Sequence, residues 1–304
     1  MTTKNSPPLQ DALGSAEQAA MLKKERRANS AWNKLLRNKT AVIGLVIIII
    51  MLILAVFAPL IATHDPNALA ISKAFRAPGV AGHIFGTDEF GRDLFSRIVY
   101  GARISIFVAV GGTLVGSIIG LLLGLVAGYQ GGIADSVIMR IMDGMFAFPF
   151  ILLSIILMTI LGSGVFNVIL AIGISNVPSF ARIVRGQVHV VKNEEYCTAA
   201  RVLGAGGSRI LFRHILPNAI SPTIVYFTLN VAGSIISEAA LSFLGLGIMP
   251  PTASWGNILQ GGRGALNTAP HIATISGIFI LITVLGFNLF GDGVRDVLDP
   301  KMKR

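Results

Sequence analysis

An all-α, polytopic membrane helix bundle with six transmembrane helices is the fold class this sequence predicts, on three observations. The 304 residues are 53% hydrophobic and only 13% charged, against about 25% charged for a soluble domain. Runs free of Asp, Glu, Lys and Arg recur near the roughly 20 residues that cross about 30 Å of hydrocarbon as a helix. Lys and Arg gather in alternate connections, as they do where cytoplasmic loops hold the positive charge.

Each span is justified in turn. The first run occupies residues 40–64 with its core at 41–62; it is too long and too far from the N-terminus for a signal-peptide core, so an uncleaved anchor is expected. The second covers 104–134, as one long helix or a helix with a turn at Gly131 and Gly132. The third covers about 144–161 and the fourth about 165–181, joined closely enough for a tight helical hairpin. The fifth runs from about 219 to 248 around Glu238, and the sixth from about 272 to 290. Residues 1–40 then form an N-terminal segment, 63–103 an outer segment, 104–290 a five-helix core and 291–304 a tail.

Charge orients the bundle. Nineteen Lys and Arg fall in the N-terminal segment, the connection after the second span (Arg140), the connection after the fourth and the tail, against six on the alternate side, which also holds Asp65, Asp88, Glu89 and Asp93. Both termini are expected in the cytoplasm. The net charge of +10 would suggest nucleic acid in a soluble protein; segregation across a membrane explains it without one. The single cysteine, Cys197, excludes an intramolecular disulfide framework. The five histidines lie too far apart for a zinc-finger or HExxH spacing, so no metal site is expected.

Inside the spans, Gly112, Gly116, Gly120, Gly124 and Gly128 recur every four residues. This stripe predicts a face pressed against another helix, because close backbone approach supplies packing where lipid removes the hydrophobic drive. Pro149, Pro178 and Pro222 read as kinks or as breaks lining an aqueous path. Glu238 is the one acid deep in a span and costs about 2.5–3.5 kcal/mol to insert. With Asn176 and Asn230 it is a candidate for the translocation pathway, an interhelical hydrogen bond being the alternative. In the outer segment, Asp88, Arg92 and Asp93 are candidates for contact with an external protein or a second subunit; an internally paired turn is the alternative. Trp255, beside Pro250, Pro251 and Gly256, is expected to fix a re-entrant or interfacial turn.

The most specific pattern lies at 191–218. Asn193 can cap a helix opened by Glu194 and Glu195, Gly204 to Gly207 can stop it, and Ser208 can cap a second short helix ending at Pro217. Such a hairpin suits a lipid surface or a docking knob for a soluble partner. Its spacing, Ala199-Ala200, three residues, Gly204, nine residues, His214 and then Leu216-Pro217, resembles the EAA loop of binding-protein-dependent ABC importer permeases. Thr198 stands where that family usually has Glu, and His214 where it has Ile.

The segments at 86–106, 140–153, 241–256 and 291–301 resemble the C-type permease subunits of dipeptide and oligopeptide importers, and the resemblance runs from about Trp32 to the C-terminus. It implies a type I ABC importer permease in the cell inner membrane. The implied partners are a second homologous permease, two cytoplasmic ATPase subunits and a periplasmic or lipid-anchored solute-binding protein. The implied cargo is a di- or oligopeptide, with nickel, glutathione or another small solute as alternatives. Glu195, Thr198, Ala199, Ala200, Gly204, His214, Leu216 and Pro217 would form the ATPase-coupling loop. The chain has no G-x-x-x-x-G-K-[ST] phosphate loop, so ATP and Mg would be bound by the partner ATPases and the subunit is not expected to be an enzyme. An ATP-independent secondary transporter or channel is the remaining rival.

Overall fold

A computed structural model describes residues 31–298. The N-terminal segment up to residue 30 and the tail beyond residue 298 lie outside the described residues. Among the described residues there are only helices and one isolated β-bridge, between Thr87 and Asp93.

Helix α1 (Ala31–Arg37) leads into α2 (Lys39–Val56), where Asn38 accepts hydrogen bonds from the Thr40 and Ala41 amides. The one-turn α3 (Ala58–Ile61) ends the first span. After the outer segment, α4 (Leu94–Gln130) runs for 37 residues, roughly 55 Å at 1.5 Å per residue. It starts ten residues before the charge-free run because Asp93 caps it and Arg97, inside it, is paired. Counting only uncharged residues truncates a helix whose ends carry satisfied charges.

Gly131, at φ +67°, turns the chain into α5 (Gly132–Phe146), which is bent by 92° from α6 (Phe150–Leu161). The expected third span is therefore broken, and α6 alone, at about 18 Å, is too short to cross hydrocarbon. Pro149 is the physical cause: it lacks an amide hydrogen and biases Phe148 away from helical geometry. The hairpin between the third and fourth spans is present, turning at Gly162 and Gly164, both at positive φ.

Helix α7 (Val165–Lys192) continues past the expected end at residue 181, because Arg182 and Arg185 are paired with acids of α5 at Asp143 and Asp135. Next come α8 (Glu195–Val202), α9 (Gly207–Ile210), a π turn at Leu211–Ile215, and α10 (Leu216–Phe243). Helices α11 (Trp255–Gly262) and α12 (His271–Leu298) complete the chain. Among the described residues, five helices are long and apolar enough to cross a membrane, or six spans if the broken pair counts as one.

The core is built around α4. Its glycine face lies on α7, while α2 crosses α12 where Gly44 meets Gly286 and Phe290. Trp255 is fully buried, not interfacial: its indole Nε1 donates to Ile98 O at 3.0 Å, its amide donates to Ser105 Oγ, and its carbonyl accepts from Ser276 Oγ. It ties α4, α11 and α12 together at the end of the bundle away from α8 and α9.

Candidate functional site

The 193–217 segment forms a helical hairpin, with two corrections to its expected caps. Glu194, not Asn193, holds the N-cap position of α8, because the Asn193 amide group donates back to His189 O and finishes α7. Gly206, not Ser208, precedes α9. A third correction concerns the second short helix. It does not end at Pro217; α9 passes through the π turn, where the Leu216 amide donates to Leu211 O, straight into α10. Pro217 sits in the first turn of α10, where its missing amide hydrogen costs least.

The turn between α8 and α9 closes as a Schellman motif. Gly204 adopts φ +82°, its amide donates to Arg201 O, and the Ala205 amide donates to Ala200 O. This leaves Val202 and Leu203 at the tip, 83% and 87% exposed, on a hairpin that also exposes Arg201, Arg209 and Arg213. Glu195, Thr198, Ala199, Gly204 and Pro217 are exposed, and Ala200, His214 and Leu216 are half-buried. Val202 ends α8 and Leu203 caps it; that they form the protruding tip depends on the left-handed turn at Gly204.

The hairpin's other face is anchored. Cys197, Ile210 and Ile215 are buried against Val184, Val188 and Val191 of α7 and Leu125 of α4. Burial pushes the Cys197 thiol above its ordinary pKa, so it is a packing residue and not a nucleophile. Lys192 Nζ donates to Tyr129 O at 2.6 Å, and Asn218 Nδ2 donates to His214 O at 2.7 Å. The hairpin is thus packed into α7 on one side and continuous with α10 on the other.

The glycine stripe meets α7 position for position. A Cβ on Gly112 would meet Ile172, on Gly116 Asn176, on Gly120 Phe180, on Gly124 Val184 and on Gly128 Val188. The two helices share a four-residue repeat, so their backbones run close over five turns.

Asn176 and Asn230 are brought together. Asn230 Nδ2 donates to Asn176 Oδ1 at 3.1 Å, Asn176 Nδ2 reaches Ser234 Oγ at 3.4 Å, and Ser234 Oγ bonds Thr113 Oγ1 at 2.9 Å. This polar chain joins α4, α7 and α10 within the membrane-spanning part. Its Asn230 and Tyr226 side is half-buried, and the rest is enclosed.

Glu238 belongs elsewhere. It is 0% exposed and accepts from Ser242 Oγ at 2.8 Å, so within this chain it faces no open surface and its surroundings favour the hydrogen-bond alternative over the pathway. Helix α11, which approaches α10 closely through Gly256, shields it from solvent.

Asp88, Arg92 and Asp93 are also turned inward. Arg92 Nε donates to Asp88 Oδ2 at 2.6 Å, Arg97 lies 3.3 Å from the same oxygen, and all are buried. Asp93 is occupied in capping α4. Burial alone would raise its carboxyl pKa; hydrogen bonds from the Ser96 hydroxyl and amide and from His83, with His64 nearby, outweigh that and hold it below the ordinary value. The internally paired alternative is the one these surroundings favour: Asp88 holds Arg92, Arg97 donates through Nη1 to Pro66 O while its Nε lacks a hydrogen-bond partner, and Asp93 is taken up by the α4 cap.

Comparison with known proteins agrees with this architecture. Residues 120–304 match the family described as binding-protein-dependent transport system inner membrane component, and residues 28–78 match the N-terminal TM domain of oligopeptide transport permease C. The chain is 46% identical over 273 residues to the glutathione transport system permease protein GsiD of Shigella flexneri and of Escherichia coli, covering 90% of each chain. It is 43% identical over 267 residues to the oligopeptide transport system permease protein OppC of Bacillus subtilis, covering 88% of this chain and 87% of that one. In fold it is similar to a chain of the inward-facing MetNI methionine ABC transporter, with TM-score 0.53 at 22% identity over 66% of this chain and 96% of that one. A chain of an amino acid ABC transporter gives TM-score 0.52 at 14% identity, over 65% and 92%. With a family match over most of its length and relatives this similar end to end, the chain belongs to the binding-protein-dependent transport system inner membrane components and is a permease subunit of an ABC importer.

Proposed function

We propose that this permease pairs with a second homologous permease, receives a small peptidic solute from an external binding protein, and is driven by two cytoplasmic ATPase subunits docking on the α8–α9 hairpin. The observation that carries the docking is the apolar tip of Val202 and Leu203, exposed to 83% and 87%, on a hairpin whose other exposed side chains include three arginines. Exposed apolar side chains on a rigid turn suit insertion into a groove of a soluble partner. Closure of the ATPase pair would displace the hairpin, and α7 and α10 would tilt with it, a two-state element biased from another subunit. The polar chain of Thr113, Asn176, Asn230 and Ser234 sits where those two helices meet α4, placing its open Asn230 side as a candidate stretch of the route.

The hairpin lies on the side with nineteen of the 25 Lys and Arg, which supports both termini in the cytoplasm. The names of the relatives support the cargo: glutathione for one group and oligopeptides for another, so a short peptide or peptide-like thiol is the class proposed. The test reconstitutes the importer in proteoliposomes with its binding protein. Accumulation of labelled glutathione or short peptides that requires ATP on the hairpin side is expected; flux driven by an ion gradient without the ATPase overturns the reading.

A further inference from the structure

Three side chains distant in sequence converge where the first span hands over to α4. His64 follows α3, His83 ends the short turn Val80–Gly82, and Asp93 caps α4. One ligand atom from each lies within 4.8 Å of the others. His83 Nδ1 is 2.9 Å and His64 Nδ1 3.6 Å from the same oxygen, Asp93 Oδ1, and the rings lie 4.7 Å apart between centroids. Tetrahedral ligands at about 2.0–2.1 Å from zinc stand about 3.3 Å from one another, a value between those two separations.

The surroundings are those of a prepared site. Asp93 Oδ2 is fully engaged, accepting from the Ser96 amide at 2.8 Å, Ser96 Oγ at 2.7 Å and Thr63 Oγ1 at 3.3 Å. Oδ1 is thereby left to the two imidazoles. The His64 amide donates to Ser96 Oγ at 3.0 Å, and Thr63 Oγ1, 3.0 Å from His64 Nδ1, is a partner that nitrogen gives up on taking an ion. One serine thus orients both the carboxylate and the backbone of a histidine, the kind of outer support that metal ligands carry. Side-chain exposure is 41% for His64 but 7% for His83 and 1% for Asp93, so an ion has a way in on the His64 side, and room remains there for water.

We propose that His64, His83 and Asp93 bind one divalent transition-metal ion of the zinc class, with water completing the coordination, and that the ion staples the segment after the first span to the start of α4. Two imidazoles and one carboxylate select such an ion over magnesium or calcium, which prefer all-oxygen surroundings. Ligation through Nδ1 leaves each ring proton on Nε2. The inference uses neither the cargo nor the coupling hairpin, and stands apart from the proposed function.

The test uses the purified importer complex carrying a tag without histidines. Zinc is measured by elemental analysis, and Co2+ serves as a spectroscopic probe. The expected result is one zinc per chain and visible Co2+ absorption that zinc displaces. His64→Ala and His83→Gln should each weaken binding by at least about tenfold. His189→Ala, at the hairpin end, should leave binding unchanged. Zinc should raise the melting temperature of the wild type and not of His64→Ala. Absence of a stoichiometric ion, or its retention by the His64→Ala, His83→Gln double variant, overturns the proposal. His64 is exposed enough for its alanine variant to fold, so the outcome is decisive.

Discussion

Gly204 is the residue on which the hairpin depends. At φ +82° with open space around a would-be Cβ, its constraint is backbone conformation alone, so a β-branched side chain is penalised by about 1–3 kcal/mol without any collision. Gly204→Val should leave the chain inserted but lower ATP-coupled uptake by about tenfold or more, the factor that 1–3 kcal/mol spans. Gly206, at φ −65° and equally unhindered, is the control: Gly206→Ala should transport normally. Equal uptake by wild type and Gly204→Val in proteoliposomes would count against the knob. Glu238→Gln keeps an acceptor for Ser242 Oγ, so transport should stay within about twofold of wild type, a neutral hydrogen bond being worth about 1 kcal/mol; a larger loss in the same assay would return Glu238 to the pathway.

At the scale of elements, the α4 and α7 pairing is the strongest constraint. A side chain at Gly120 meets Phe180 Cβ, Val177 O at 2.9 Å and Ala181 N at 3.0 Å, mostly backbone that cannot move aside. Gly120→Leu should therefore destabilise the pairing beyond the usual 1–3 kcal/mol of overpacking and abolish assembly on size-exclusion chromatography. Gly144→Ala, with nothing within 4 Å, should assemble normally. In the outer segment, Asp88→Ala leaves Arg92 and Arg97 buried without their shared acid, a loss of about 3–5 kcal/mol. Thermal unfolding should register it directly, whereas a surface contact for a binding protein would leave the melting temperature unchanged. The stripe was legible in the sequence because glycine at a four-residue spacing has few other uses. The inward turn of Asp88 was not, since alternating charges read the same whether they face solvent or each other.

For the whole molecule, the bend at Pro149 changes how the third span is understood. Helix α5, held to α7 by Arg185 on Asp135 and Arg182 on Asp143, lies at 92° to α6 on the same end as the hairpin. In a Cys197→Ser background, Leu203→Cys and Ile133→Cys should react with a membrane-impermeant thiol reagent only in inverted vesicles. Ser163→Cys, in the turn at the opposite end, should react in intact cells. Labelling of Leu203→Cys from outside would reverse the orientation.

By itself the sequence determined the class, the order of the apolar segments, the segregation of charge along the chain, the packing stripe and the place of the short-helix hairpin. Each rests on a local periodicity or on spacing along one chain, which composition records directly. Tertiary structure alone decided where helices end, because paired arginines let α4 and α7 run past their apolar runs. It alone turned Glu238, Asp88, Arg92 and Asp93 inward, raised Val202 and Leu203 to the tip, and set His64 and His83 beside Asp93. Those are meetings between distant residues, and their energies depend on partners that no single stretch of sequence contains.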